Sequence, residues 1–196
     1  MTNLKRETEM EKQTPSPGSF PDATPSMQAD ASDPTAHIVL YRPEIPQNTG
    51  NIGRSCVATG AKLWLVGPTG FEITHSRLKR AGMDYWQYLE WVQMENWQSL
   101  QEQLPTKRQW FFSRFAKRPI WDAPLQRGDA FIFGCESAGL PEEILDLSSP
   151  YAINLPTRPQ VRSLNLAVTA GIALYQLLAK CPDARPTLPP DGMPTN

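Results

Sequence analysis

Three loops of this sequence carry polar side chains that are able to bind phosphate groups or to shape a catalytic site. In the first, YRPEIPQNTGNIGR, Asn48 or Thr49 is expected to cap a helix that carries Arg54. The free backbone N–H groups of a helix start, with an arginine one turn later, form a phosphate site. For this loop alone, an ordinary capped helix with a surface arginine is the favoured interpretation.

The second loop, FIFGCESAGLPEE, places a carboxylate directly after an apolar strand that ends at Gly134. Gly139 is able to take a positive φ, and Ser137 is not a hydrolase nucleophile because the motif G-x-S-x-G requires glycine where Cys135 stands. Glu136 lies where functional carboxylates of α/β proteins lie, at the carboxyl end of a strand. An equally supported alternative is that Glu136 accepts hydrogen bonds from backbone N–H groups of its own tight loop.

The third loop, LPTRPQVRSLNLAV, leads into a nearly all-apolar helix. Ser163 is predicted to cap that helix, and the apolar residues after it predict that the helix is buried. Asn165 stands in the predicted first turn, where a buried amide without a partner costs about 1–3 kcal/mol. Asn165 is therefore predicted either to tie loops together or to bind a ligand. For Arg158 and Arg162, a binding role and an ordinary surface position are equally supported alternatives.

Between residues 37 and 180, short β-type runs alternate with helical patterns, which predicts an α/β domain with a mainly parallel sheet. Ligands of such sheets bind outside the carboxyl ends of the strands, where the three loops lie. The predicted strands are 37–41, 62–67, 88–92, 109–115, 129–134 and 151–156, and the predicted helices are 49–59, 74–81, 95–104, 141–147 and 163–180.

The composition predicts a cytoplasmic protein that has no membrane span, disulfide framework or metal site. No run reaches about 18 apolar residues, and the first residues lack the apolar core of a signal peptide. Three separated cysteines and two histidines offer no zinc-binding spacing. Residues 1–36 and 181–196 are rich in proline and polar side chains, so they are predicted to be a disordered extension and a flexible tail around a domain at 37–180.

Basic and aromatic residues are interleaved in two runs of the mildly basic central domain, at 75–86 and 108–121. Clustered charges are usually solvated and aromatic residues usually belong to a core, so neither run alone indicates contact with RNA. Together the two runs favour a basic loop surface.

The three loops together resemble the SPOUT methyltransferases, and within them the small family that methylates the ribose 2′-oxygen of the tRNA wobble nucleotide, cytidine or uridine 34. The run N-T-G-N-I-G-R is similar to the first motif of that family, F-G-C-E-S-A-G-L-P to the second, and I-N-L-P followed by S-L-N to the third. The motifs occur in the order of the family, and the resemblance covers about residues 37–180.

This resemblance implies a SPOUT α/β fold with a deep C-terminal trefoil knot, a rare exception to the rule that chains are unknotted. It also implies S-adenosyl-L-methionine as the cofactor, the anticodon stem-loop of tRNA as the substrate, and a homodimer in which each active site is completed by the partner subunit. The cofactor residues that it implies are Ser113, Gly134, Leu155, Ser163 and Leu164.

The resemblance further assigns the residue that matches Arg54 to the 2′-hydroxyl, with Asn48, Glu136 and Asn165 shaping the site. Because a guanidinium is protonated in proteins, we expect Arg54 to orient the ribose and to stabilise the developing alkoxide, a phosphate-assisted arginine base being the alternative. The stretch SRFAKRP departs from the T-T-K-G-like pattern of the family. Other candidate functions are an rRNA 2′-O-methyltransferase, a catalytically inactive RNA-binding SPOUT module and a small-molecule enzyme on a nucleotide-binding fold.

Overall fold

Seven parallel strands form one sheet in the computed structural model, which describes residues 33–71 and 84–187. The strands are β1 (His37–Tyr41), β2 (Lys62–Val66), β3 (Trp91–Met94), β4 (Gln109–Phe112), β5 (Arg118–Pro119), β6 (Ala130–Phe133) and β7 (Ala152–Asn154). Their spatial order is β3-β2-β1-β6-β4-β7-β5, and every neighbouring pair is parallel. The prediction of an α/β fold with a mainly parallel sheet is confirmed.

Helices cover both faces of this sheet. They are α1 (Pro46–Thr59), α2 (Trp97–Gln103) and α3 (Leu166–Lys180), with short 3₁₀ helices at Asp84–Tyr88, Ile120–Asp122 and Pro182–Ala184. On one face of the sheet, apolar side chains of α1 and α3 pack against the strands to form the core. On the other face, Leu100 of α2 packs against the strands. β1 and β6 are buried on both faces, and apart from His37 at the start of β1 they are uninterrupted apolar runs, as is typical of central parallel strands.

The connection between β4 and β5 crosses β7. Ile153 of β7 pairs with Phe112 of β4 on one side and with Arg118 of β5 on the other, and all three strands run in the same direction. Residues 113–117 therefore pass over β7 at the carboxyl end of the sheet. This crossing brings the loop after β4 next to the loop after β7.

The predicted helix at 141–147 is wrong, because this segment consists of turns. The backbone N–H groups of Ile144 and Leu145 both donate to the carbonyl oxygen of Pro141, which completes a single turn. The Asp146 carboxylate then accepts hydrogen bonds from the backbone N–H and the hydroxyl of Ser148, at 2.8 and 2.6 Å. Such a local side-chain cap stabilises a turn in competition with helix continuation.

The predicted strand at 88–92 is displaced along the sequence. Residues 84–88 form a 3₁₀ helix, and the strand itself begins at Trp91 and ends at Met94. The predicted helix at 74–81 lies outside the described residues.

The folded part extends beyond the predicted domain limits of 37 and 180. Thr35 and Ala36 are buried, and the Thr35 N–H donates to the Gly60 carbonyl oxygen at 3.0 Å. At the other end Ala184 is buried and the Arg185 guanidinium donates to two carbonyl oxygens of the last turn of α3. A deletion that is meant to leave the folded part intact should therefore stop at residue 32.

The buried pair of His37 and Trp64 leads to a prediction about pH. The indole Nε1 of Trp64 donates to Nδ1 of His37 at 3.0 Å, which requires that nitrogen to be unprotonated. Burial, with a smaller contribution from the Lys62 charge, lowers the pKa of His37 from its usual value of about 6.5 to about 4. Because protonation is disfavoured only in the folded state, this contribution to stability is complete above pH 6.5 and is lost as the pH falls towards 4.

We expect the stability advantage of the wild type over His37→Gln to shrink by about 2 kcal/mol between pH 7 and pH 4.5. Glutamine keeps an acceptor for the Trp64 indole and does not titrate, so it serves as the matched reference. Urea unfolding of both proteins at several pH values measures the difference. A difference that is constant across this range would show that His37 does not titrate with a lowered pKa.

Candidate functional site

The three polar loops meet in one hydrogen-bonded network at the carboxyl end of the sheet. Asn48 in the first turn of α1 donates through Nδ2 to Oε1 of Glu136 at 3.0 Å. Asn165 donates through its own Nδ2 to Oδ1 of Asn48 at 2.8 Å. Three predicted site residues that are 88 and 117 positions apart in sequence are thus joined directly.

Asn48 is the centre of this network because it is not a helix cap. Helix α1 begins at Pro46, which needs no partner for a backbone N–H, and Ile45 is the N-cap residue without a side-chain cap. The prediction that Asn48 or Thr49 caps the helix is therefore wrong. Asn48 is only 5% exposed, and its amide uses both its donor and its acceptor for the other loops.

Asn165, not Ser163, caps the last helix. Its Oδ1 accepts hydrogen bonds from the backbone N–H groups of Ala167 at 2.8 Å and of Val168 at 3.3 Å. The same amide therefore caps α3 with its oxygen and binds Asn48 with its nitrogen, which couples the position of the helix to the network. Ser163 is exposed and lies before the cap, so its predicted capping role is wrong.

The loop after β6 is locked to the loop after β1 by a reciprocal pair of carboxylates. Glu136 accepts from the backbone N–H of Glu44 at 2.9 Å, while Glu44 accepts from the backbone N–H and the hydroxyl of Ser137 at 3.0 and 2.7 Å. Glu136 thus binds a different loop, not N–H groups of its own loop. Glu44 was missed by sequence reasoning, although its place directly after a predicted strand is the signal that could have identified it.

Arg54 lies apart from the network. It is eight residues after the start of α1, and its separation from Asn48 along the helix axis is about 9 Å at a rise of about 1.5 Å per residue. Arg54 therefore lies about two turns after the helix start, not one turn as expected. Arg54 is exposed on the surface of α1.

Tyr85 holds the Arg54 side chain. The guanidinium carbon of Arg54 lies 4.6 Å from the centre of the Tyr85 ring, and the Tyr85 hydroxyl donates to the Gly50 carbonyl oxygen at 2.7 Å. The segment of Tyr85 approaches α1 closely because Gly53 has no side chain: a Cβ there would lie 2.9 Å from the Trp86 ring. Sequence reasoning placed Tyr85 in a basic and aromatic run, and only the three-dimensional contact distinguishes it from a core aromatic.

The residues implied for cofactor binding follow three neighbouring strands, β6, β4 and β7. The loop after β6 folds back on itself, with Gly139 at φ 76° donating its N–H to the Cys135 carbonyl oxygen at 2.9 Å. Ser113 is half-buried and donates its backbone N–H to the Ile153 carbonyl oxygen at 3.0 Å. The remaining members are Gly134, half-buried Leu155, and exposed Ser163 and Leu164.

No hydrogen bond in the described part of the chain joins Ser113, Ser163 or Leu164 to the Asn48 network. Residues 33–71 and 84–187 contain no group of three or more His, Cys, Asp or Glu side chains placed to hold a metal ion. Within the same ranges, none of the helices is long and apolar enough to cross a membrane.

Comparison with known proteins gives matches over most of the chain. Residues 35–175 match the SpoU rRNA Methylase family. A protein of Methylovorus glucosotrophus named tRNA (cytidine(34)-2′-O)-methyltransferase is 44% identical over 140 residues, which cover 71% of this chain and 91% of the relative. A solved structure described as "Structural insights into the 2-OH methylation of C/U34 on tRNA" is 38% identical with a TM-score of 0.71, and the match covers 78% of this chain and 99% of that one.

A more distant structure shares the fold. The SpoU methyltransferase AviRb of Streptomyces viridochromogenes, solved in complex with the cofactor AdoMet, is 21% identical with a TM-score of 0.68. The match covers 80% of this chain and 61% of that protein.

Proposed function

Because this chain belongs to the SpoU methylase family, and within it to the tRNA (cytidine(34)-2′-O)-methyltransferases, we propose that it methylates the ribose 2′-hydroxyl of the wobble nucleotide of tRNA. The observation that carries this function is the hydrogen-bonded network of Asn48, Glu136 and Asn165, which unites the three motif loops at one edge of the sheet. We place the enzyme in the cytoplasm, where its tRNA substrate would be met.

S-adenosyl-L-methionine is the methyl donor in this proposal, and its sulfonium supplies an activated methyl group. Apolar Leu155 and Leu164 would contact the adenosyl group, and the Ser113 and Ser163 hydroxyls and the Gly134 backbone offer polar partners. These residues fit such a group because they come from loops that follow adjacent strands, and the tight turn at Gly134 leaves backbone groups close to the strand end. The related fold of a protein that was solved with AdoMet supports the assignment.

Arg54 would bind the ribose-phosphate and stabilise the negative charge that develops on the 2′-oxygen. Its guanidinium stays protonated, so it orients the hydroxyl and does not accept the proton; the proton passes to solvent as the methyl group leaves the sulfonium, which becomes a neutral thioether. Holding the two reacting groups in line lowers the barrier by replacing a bimolecular encounter with an oriented one. The contact with Tyr85 is made to the face of the ring, so it uses no N–H donor of the guanidinium.

Tyr85→Leu is expected to lower kcat about tenfold, because the ring face that orients Arg54 is lost. Tyr85→Phe is the matched control: it removes the hydroxyl bound to Gly50 but keeps the ring, so its kcat should stay within about twofold of the wild type. Both variants should bind S-adenosyl-L-methionine normally in calorimetry. Equal activity of Tyr85→Leu and the wild type would show that Tyr85 does not position Arg54.

A homodimer is part of the proposal, and the exposed side of α3 supports it. This helix was predicted to be buried, yet Val168, Ile172 and Tyr175 form an exposed apolar stripe at positions i, i+4 and i+7. A second subunit that covers the stripe would bury these side chains. A dimer would also let Arg54 of one subunit approach the cofactor loops of the other, which accounts for its separation from Asn48 within one chain.

A knotted path is also proposed. Residues 113–117 cross over β7, which is later in the sequence than β4 and β5 but lies between them in the sheet. That crossing supports the trefoil knot that the resemblance implies.

The test of this function is methyl transfer from labelled S-adenosyl-L-methionine to bulk tRNA and, in a parallel reaction, to ribosomal RNA, followed by mass spectrometry of nuclease fragments. We expect a 2′-O-methyl group at nucleotide 34. Label in ribosomal RNA alone would favour an rRNA 2′-O-methyltransferase. Binding of tRNA without binding of S-adenosyl-L-methionine would favour an inactive RNA-binding module.

A further inference from the structure

The connection between β4 and β5, residues 113–117, presents an aromatic side chain to solvent in a fixed position. The Phe115 N–H donates to the Ser113 hydroxyl and the Ala116 N–H to the Ser113 carbonyl oxygen, both at 3.2 Å. Ala116 is buried, and its carbonyl oxygen accepts a hydrogen bond from the Asn154 amide at 2.5 Å. Because the connection is anchored on both sides of Phe115, the ring points outward and remains 63% exposed.

One cationic side chain lies against this ring, and two more follow it in the sequence. The guanidinium carbon of Arg114 lies 4.4 Å from the centre of the Phe115 ring, and Lys117 and Arg118 follow it. Residues 113–118 contain no acidic residue, and none of these three cations forms an ion pair within the described residues. A phenyl ring flanked by cations is the combination that binds a nucleotide base by stacking and its phosphate by charge.

We infer that Phe115 is a stacking platform for an unpaired base of the RNA substrate and that Arg114 and Lys117 bind the adjoining phosphates. The inference rests on the proposed function, since it concerns how the anticodon loop is held. The connection lies at the carboxyl end of β4, beside the loops that follow β6 and β7, so a base stacked there belongs to the same RNA segment as the target nucleotide. Unpaired loop bases are available for such stacking, whereas paired bases are not.

A second copy of the chain is a poorer occupant of this surface. In a symmetric dimer the same surface would meet itself or its close neighbours, which would bring Arg114, Lys117 and Arg118 of both subunits together. Juxtaposed like charges oppose association, whereas RNA neutralises them. The apolar stripe on α3 carries no charge, so pairing it with a second subunit does not bring like charges together.

Phe115→Ala is expected to raise both the Kd for a synthetic anticodon stem-loop and its KM about tenfold. Affinity for S-adenosyl-L-methionine and kcat at saturating RNA should stay within about twofold. Phe115→Tyr retains a stacking ring and should behave as the wild type. Tyr88→Ala is the matched control, because Tyr88 is 72% exposed but precedes β3 at the opposite edge of the sheet, so its removal should leave Kd unchanged.

Arg114→Gln and Lys117→Gln should each weaken RNA binding and lower the slope of log Kd against log salt concentration by about one. An unchanged Kd in Phe115→Ala would overturn the inference, and so would dissociation of this variant to a monomer in sedimentation. The Kd is measured by fluorescence anisotropy without methyl transfer, so it reports on Phe115 even if nucleotide 34 is not methylated. Absence of methylation by the wild type would instead contradict the proposed function.

Discussion

Replacing Arg54 with alanine is expected to lower kcat for methyl transfer by about 100- to 1000-fold while leaving the Kd for S-adenosyl-L-methionine within about twofold. Arg54 is exposed and contacts the face of the Tyr85 ring, so its charge is available to the RNA. A donor that stabilises charge in the transition state changes kcat, whereas a residue that only binds substrate changes KM. Single-turnover rates with a saturating stem-loop separate the two effects.

Arg54→Lys is the matched variant for this prediction. Lysine keeps the positive charge but loses the planar fork that binds two oxygens and stacks on Tyr85, so its kcat should fall between the wild type and Arg54→Ala. Wild-type turnover of Arg54→Ala would exclude Arg54 from the mechanism. Thermal unfolding should be nearly unchanged in both variants, since the side chain lies on the surface of α1.

Mixing of subunits tests whether Arg54 acts across the proposed dimer. Leu164→Asp, on an exposed loop position, is expected to block cofactor binding without affecting the fold. If Arg54 completes the site of the other subunit, a mixed dimer of Arg54→Ala and Leu164→Asp regains one working site, whereas each variant alone is inactive. If Arg54 acts within its own chain, the mixture stays inactive.

The sequence was sufficient to predict the parallel sheet because buried strands are apolar runs that end at polar loops. It also identified Asn165 as a residue that needs partners, since an amide among apolar neighbours is costly when unpaired. The sequence could not show that one partner is Asn48, 117 positions away, because the contact exists only once β1 and β7 lie in the same sheet. Helix-capping preferences predicted Ser163 as the N-cap of α3, whereas the N-cap in the structure is Asn165, which is held by its hydrogen bond to Asn48.

The role of Tyr85 and the conformation of the segment 141–147 also could not be predicted from the sequence. Tyr85 is one of several aromatic residues in its run, and its role depends on Gly53, which lets the segment approach α1. The segment 141–147 has helical composition, but the Asp146 and Ser148 side chains stabilise a turn after a single helical turn. The amino-acid composition predicts neither the role of Tyr85 nor the turn at 141–147, because each depends on a specific contact.

Gly134→Ala is expected to impair both the fold and the cofactor site. A Cβ at Gly134 would lie 2.0 Å from the carbonyl carbon of Gly139 and 2.2 Å from the nitrogen of Leu140. Both atoms belong to the backbone, so no rotamer change relieves the overlap, and the loop after β6 must move away from the strand end. Overpacking of this kind costs about 3 kcal/mol or more of unfolding free energy. The displaced loop begins with the Gly134 backbone that we propose to bind the cofactor, so we expect the Kd for S-adenosyl-L-methionine to rise more than about 100-fold.

Gly139→Ala, in the same loop, is the control for Gly134→Ala. It distinguishes the steric overlap at position 134 from a general sensitivity of the loop to an added side chain. Gly139 has a φ of 76°, but a Cβ there would meet nothing within 4 Å, so the cost is limited to the strain of a left-handed alanine, about 1 kcal/mol. Urea unfolding and calorimetric titration with S-adenosyl-L-methionine compare the two variants directly. Similar losses in both would mean that the loop tolerates no added side chain, whereas the predicted difference assigns the effect to the contact between Gly134 and the returning backbone. Since that contact keeps Glu136 within reach of Asn48, its loss would uncouple the loop after β6 from the other two.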